Sequence, residues 1–136
     1  MKIRGRAINK GMAAGTAVVL ETPFSFIGDM NPKTGELTMA GHPLAGLPLA
    51  GKVIVFPTGK GGTIAPFITY LARKNGKAPR AILCEQVDPI TAECAMVMDI
   101  PLMDSFPSVE LTKIIKTGDT VKIDADAGQI SINYPE

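Results

Sequence analysis

The chain has 136 residues, 14 Lys and Arg against 13 Asp and Glu, a net charge of +1, and 46% hydrophobic and 20% charged residues, the balance of one globular domain over 1–136. This excludes a disordered segment and a nucleic-acid binder working by phosphate neutralisation, and with no Trp, two Tyr and five Phe there is little aromatic surface for base stacking. No apolar run approaches the roughly 18 residues of a membrane span, and the amino terminus lacks a signal-peptide stretch, so the expected location is the cytoplasm, with no membrane partner.

In chain order, residues 2–9 and 16–21 read as two strands around a turn at 10–15, an antiparallel opening. Residues 23–28 continue with alternating aromatics. Asn31-Pro-Lys-Thr-Gly35 is a turn signal, because Pro presets one torsion and Gly supplies a positive one. Residues 37–39 suit a short strand. From 40 to 51, glycine and proline recur too often for regular structure, which leaves an apolar loop that is either packed down or kept for a partner. His42, the only histidine, lies in it and reads as a turn or surface residue before a catalytic one.

Val53-Ile-Val-Phe56 is apolar throughout and β-branched or aromatic, the pattern of a strand buried on both faces. Gly59-Lys-Gly-Gly62 follows. Its glycines permit torsions closed to other residues and let a ligand approach the backbone. Thr63 stands where an N-cap belongs, Pro66 falls in the first turn, and residues 64–75 carry Ile64, Phe67, Ile68 and Leu71 at helical spacing, with Gly76 as terminator. A helix start behind a glycine loop favours anions, and Lys60 adds a positive charge, so Gly59, Lys60 and Gly61 are candidate ligands for a phosphate or carboxylate. The spacing is neither a Walker loop nor Gly-x-Gly-x-x-Gly.

Residues 81–84 read as a second buried strand, which makes strand–helix–strand a right-handed parallel crossover. Asp88 caps a helix from Ile90 to about Met98 with Pro89 at its first position. Residues 100–103 suit a third strand and 107–116 a third helix. The end of the chain alternates over two runs around Asp126-Ala-Gly128, a hairpin. Cys84 and Cys94 sit in apolar surroundings and read as reduced core thiols, and two thiols with one histidine make no zinc or iron–sulfur site in this chain.

Gly28-Asp-Met-Asn-Pro-Lys-Thr-Gly35, His42-Pro-Leu-Ala-Gly46, residues 52–63, 81–89 and Asp99-Ile-Pro-Leu-Met-Asp104 occur in the order seen in small subunits of the aconitase X family, which the chain resembles over nearly its whole length. The resemblance implies an α/β fold, a swivelling β/β/α domain like the last domain of aconitase. It implies a large-subunit partner that holds a [4Fe-4S] cluster, a hydro-lyase reaction on a small anionic substrate, and a serine of the swivelling domain as proton acceptor. The archaeal two-chain members imply 5-phosphomevalonate as substrate and an anhydromevalonate phosphate for isoprenoid synthesis as product. Other members imply a hydroxyproline-type substrate.

The serine belongs to a Gly-Arg-Gly-Ser pattern that falls on Gly59, Lys60, Gly61 and Gly62. Gly62 therefore occupies the serine's position without a side chain, and Lys60 keeps the charge of Arg but not its fork. Asn31 replaces the usual Asp, and Ala65-Pro66 the usual Gly-Ser. Thr63 is the nearest hydroxyl in sequence, so the proton acceptor is either Thr63 or a large-subunit residue. Two rival readings stand beside this one. Swivelling phosphohistidine domains carry a similar Gly-Gly-x-Thr-Ser-His stretch, but Pro66 takes the place of the carrier histidine. A non-catalytic interaction subunit fits both the lost serine and the loop at 40–51.

Overall fold

The computed structural model describes residues 1–133. Its strands are β1 (Lys2–Arg4), β2 (Arg6–Asn9), β3 (Met12–Val19), β4 (Val53–Phe56), β5 (Ala81–Cys84), β6 (Leu102–Asp104), β7 (Thr120–Asp124) and β8 (Gln129–Ile132). The helices are α1 (Phe26–Asp29), α2 (Ala65–Lys74), α3 (Pro89–Met98) and α4 (Leu111–Ile114).

The strands stand in the order β1-β8-β7-β3-β4-β5-β6-β2. Only Gly5 separates β1 from β2, yet they occupy opposite ends of that order, so the sheet folds back toward itself. Strand β3 joins its two halves: residues 12–16 pair antiparallel with β7, and 17–19 pair parallel with β4. Strands β4, β5 and β6 continue in parallel, and β2 closes that half as an antiparallel edge. Val53, Val55, Leu83 and Met103 on one face of the parallel half meet Val121, Ile123, Ile130 and Ile132 from the hairpin. Ile54, Phe56, Ile82 and Leu102 on its other face lie under Ala65, Ala72, Cys94, Ala95 and Met98 of α2 and α3. Two β layers and one α layer result, the α/β swivelling arrangement that the resemblance implies. The reason is local: β4 and β5 are apolar at every position, so each must be covered on both faces.

Several expectations hold. Residues 53–56 and 81–84 are parallel neighbours bridged by α2, the hairpin forms, and Asp88 caps α3 by accepting from the Thr91 amide at 3.2 Å. At the 31–35 turn the Gly35 amide donates to the Asn31 carbonyl at 2.7 Å, with Gly35 at φ 78°. The 40–51 loop is packed down, with Leu49 fully buried and Leu44 and Leu47 against the core.

Others are overturned. The turn expected at 10–15 lies largely inside β3, and residues 2–9 do not pair with it: β2 pairs with β6, and β1 with β8. Gly5 stands between the two short strands of that first run, and the Phe106 ring occupies the place its Cβ would take. Residues 23–28 give a bridge at Phe24 and the short turn α1, and 37–39 give only bridge pairing at Leu37. The third strand, expected at 100–103, is β6 at Leu102–Asp104. The helix expected at 107–116 shrinks to the single turn α4, whose leading amides, Leu111 and Thr112, donate to the Glu85 carboxylate at 2.9 and 3.0 Å. In α2 the buried residues are Ala65, Thr69 and Ala72, while Ile64 just before it and Phe67 within it are 58% and 60% exposed. Small residues face inward because α2 packs closely on α3, Ile68 and Leu71 are half-buried, and Phe67 and Tyr70 are left on the outside.

Candidate active site

Between β4 and α2 the chain crosses the end of the parallel strands, where open α/β sheets place their ligands. The loop is held along the segment before α1. The Phe24 amide donates to the Thr58 carbonyl and the Lys60 amide to the Phe24 carbonyl, both at 3.1 Å. A Cβ on Gly59 would collide with Asp88 Oδ1 and Thr91 Oγ1, so this glycine is required by the close approach of α3. Gly61 and Gly62 turn through φ 83° and 101°, and the Ser25 hydroxyl donates to the Gly61 carbonyl at 3.0 Å. Among the described residues, the amides of Gly61, Gly62 and Thr63 donate to no protein group. Three successive free N–H groups ahead of a helix are donors that an anion could take up.

Gly62 is more than a lost side chain. Its positive φ strains any L residue, and Ile27 Cδ1 fills the space a Cβ would need, with Ser25 Oγ 3.8 Å from that point. Thr63 is not the N-cap that its position suggests. Ile64 takes that place without a side-chain cap bond, and the exposed Thr63 hydroxyl has no hydrogen-bond partner among the described residues. Capping therefore does not account for the threonine.

Lys60 is tied down: its Nζ lies 3.0 Å from Asp29 Oδ2. The same carboxylate oxygen accepts from the Ser25 amide at 3.0 Å, and Asp29 is buried. Sequence reasoning did not single out Ser25, Ile27 or Asp29. An acidic residue inside the apolar run from Phe24 to Met30 was the available signal. His42, which pattern placed in a featureless loop, lines a cleft of about 510 Å³ with Thr22, Pro23, Met39, Pro43 and Lys60. Its Nδ1 accepts from the Leu44 amide at 3.0 Å, which places the ring proton on Nε2.

The second strand–helix junction is closed by carboxylates. Asp104 is fully buried, binds Arg6 through two bonds of 2.9 Å and accepts from the Val87 amide at 2.9 Å. Burial pushes its carboxyl up, but the Arg6 guanidinium and the Val87 amide together outweigh that and hold it below the usual carboxylate range. Cys84 and Cys94 are buried free thiols. Burial pushes Cys84 well up, with nearby Asp88 acting in the same direction, and pushes Cys94 up to about 11 against the downward pull of Thr69. Such thiols are poor ligands and poor nucleophiles. Among the described residues no group of three or more His, Cys, Asp or Glu is placed to hold a metal ion, so the residues present do not fit an iron–sulfur cluster. No helix among them is long and apolar enough to cross a membrane.

Comparison with known proteins bears on this site. The family described as Aconitase X swivel domain matches residues 2–132. The phosphomevalonate dehydratase small subunit of Thermococcus kodakarensis is 42% identical over 132 residues, 97% of this chain and 96% of that one. The small subunit of the same name from Methanosarcina acetivorans is 38% identical over 136 residues, 100% of this chain and 94% of the other. The crystal structure of Thermococcus kodakaraensis aconitase X in its holo-form superimposes with a TM-score of 0.89 at 39% identity, covering 97% of this chain and 98% of that one.

Proposed function

Because the chain belongs to the aconitase X swivel-domain family, we propose that it is the small subunit of a two-chain hydro-lyase that dehydrates (R)-5-phosphomevalonate to trans-anhydromevalonate 5-phosphate in isoprenoid synthesis. Residues 1–136 act as one swivelling domain, in the cytoplasm. The observation that carries the reading is the loop from Gly59 to Thr63, whose free amides, adjacent lysine and unpartnered hydroxyl lie together at the open end of the parallel strands.

A [4Fe-4S] cluster, which this chain's donors do not fit, belongs to the large subunit. The amides of Gly61, Gly62 and Thr63 and the Lys60 ammonium hold the anionic ends of the substrate and orient it. In the dehydration the carbon-2 C–H bond breaks, its electron pair forms the double bond to carbon 3, and the carbon-3 hydroxyl leaves as hydroxide. The Thr63 hydroxyl gives its proton to that hydroxide, making water, and its Oγ receives the carbon-2 proton, in place of the side chain that Gly62 lacks.

The partner covers the outer side of α2. Ile64, Phe67 and Tyr70, spaced three apart, leave 58%, 60% and 49% of their surface exposed in a stripe that begins beside Thr63, and the Phe67 and Tyr70 rings stack at 6.4 Å.

The test is an anaerobic dehydration assay on the cluster-loaded large subunit, with and without this chain, followed by the Thr63→Ala variant. Turnover of 5-phosphomevalonate that needs both chains is expected, with a loss of about 100-fold or more in kcat for the variant. Full activity of Thr63→Ala would remove the threonine from the mechanism and pass the proton to a large-subunit residue. A second reading, a non-catalytic interaction subunit, is favoured by Ile27 occupying the space of a side chain at position 62. A stable complex without turnover on this substrate or on a hydroxyproline would establish it.

A further inference from the structure

We propose that the cleft between the 39–43 loop and Lys60 is the subsite for the phosphate end of the substrate, with His42 Nε2–H as its second donor beside the Lys60 ammonium. The proposal rests on the dehydratase reading above and names where in the site each end of the substrate lies.

The single histidine of this chain has its two ring nitrogens in different situations. Nδ1 accepts from the Leu44 amide at 3.0 Å, a bond that shapes the turn also held by the Ala45 amide on the His42 carbonyl. A turn role thus accounts for Nδ1. It does not account for Nε2, which carries the proton and has no hydrogen-bond partner among the described residues. The ring lines an open surface cleft of about 510 Å³ that Lys60 also lines.

Lys60 is positioned for the same task. Buried Asp29 holds its Nζ at 3.0 Å with one oxygen, and Asp29 is not among the residues lining the cleft. The ammonium has three donors and Asp29 engages one direction, so the others remain for a ligand. Thr22 also lines the cleft, its hydroxyl spent only on a weak 3.7 Å contact to Met39 Sδ. Lining the cleft are thus a fixed imidazole N–H and an anchored ammonium, both donors, which suits the oxygens of a phosphate monoester.

Reach agrees. Lys60 and Thr63 are three residue steps apart, at most about 10 Å of chain. In a 5-phosphorylated mevalonate four atoms lie between phosphorus and the carbon that loses its proton. A phosphate beside Lys60 and His42 thus leaves that carbon near Thr63 and the free loop amides, which become available to the carboxylate.

The experiment uses the reconstituted complex with ¹⁵N-histidine only in the small chain, so His42 supplies the single imidazole signal pair. Inorganic phosphate is titrated in, with acetate at matched ionic strength as the control. A saturable movement of the Nε2 signal with phosphate and none with acetate is expected. His42→Asn keeps an oxygen that can accept from the Leu44 amide and removes the distal donor. It is expected to raise KM for 5-phosphomevalonate about tenfold with kcat within about twofold, the loss of one hydrogen bond to a charged group. An unmoved Nε2 signal, or an unchanged KM in a complex that turns over, overturns the subsite while the dehydratase reading stands. Phosphate binding at His42 in a complex that does not dehydrate 5-phosphomevalonate supports the subsite and overturns the reaction assigned to it.

Discussion

The chain contains the same unit twice, β4–loop–α2 and β5–turn–α3, and the two are finished in opposite ways. Both helices span ten residues and carry a proline in the first turn. In the second unit the carboxylates near the junction each hold a backbone amide, although Asp88 Oδ1 stays buried without a partner of its own among the described residues. Asp88 caps α3, Glu85 accepts the first amides of α4, and Asp104 accepts from the Val87 amide while binding Arg6. In the first unit the helix has no side-chain cap, three loop amides are free, and Phe67 and Tyr70 of α2 face outward. Closing one junction stabilises the fold, while its twin keeps free donors and exposed apolar side chains. The contrast explains why the glycine-loop end of the sheet can be so loosely satisfied: stability comes from next door.

Breaking the closed junction has the largest expected effect. Asp104→Ala leaves the Val87 amide and the Arg6 guanidinium without their partner and is expected to cost about 3 kcal/mol in urea denaturation. The pH dependence has a definite sign. The folded Asp104 carboxyl lies below its unfolded value, so its contribution is complete above the unfolded value of about 4 and is lost as pH falls through the folded one. The variant should lack that part of the acid loss, and an equal loss in both proteins would show that Asp104 is not the group responsible for it.

A smaller effect is expected where the two units touch. Gly59→Ala drives a methyl group into Asp88 Oδ1 and Thr91 Oγ1, so it should cost about 2 kcal/mol even though the residue lies in the open loop. Unchanged stability would mean that the loop can lift away from α3. The smallest effect belongs to the open junction itself. Thr63→Ala and Phe67→Ser should change the stability of the chain by less than about 0.5 kcal/mol, since both residues are exposed and neither caps the helix. Phe67→Ser should nevertheless weaken association with the large subunit in titration calorimetry, and equal affinity would remove the α2 stripe from the interface.

Much of this was legible without coordinates. The two apolar strands, the intervening helix, the Asp88-Pro89 start of α3, the Asn31–Gly35 turn and the terminal hairpin all carry their signals within a few residues of where they act. The family was legible too, because its motifs recur in order along the chain. What misled was each inference that needed a partner far away in sequence. The alternation over residues 2–9 is real, but nothing local says that Gly5 meets Phe106 or that the two halves join opposite edges of the sheet. Thr63 has the residue type of a cap, and only the path of the backbone shows that Ile64 stands there instead.

The sequence by itself thus determined the strand–loop–helix units and the residue types of the site, because propensity, capping and periodicity are properties of neighbouring residues. The tertiary structure decided which face of α2 is buried, that Asp29 anchors Lys60, that Ile27 fills the room beside Gly62, and that His42 shares a cleft with Lys60. Each of these depends on packing between segments distant in the chain or on the exact turn of a loop. Their energies are set by distance and excluded volume in space, which spacing along the chain does not encode.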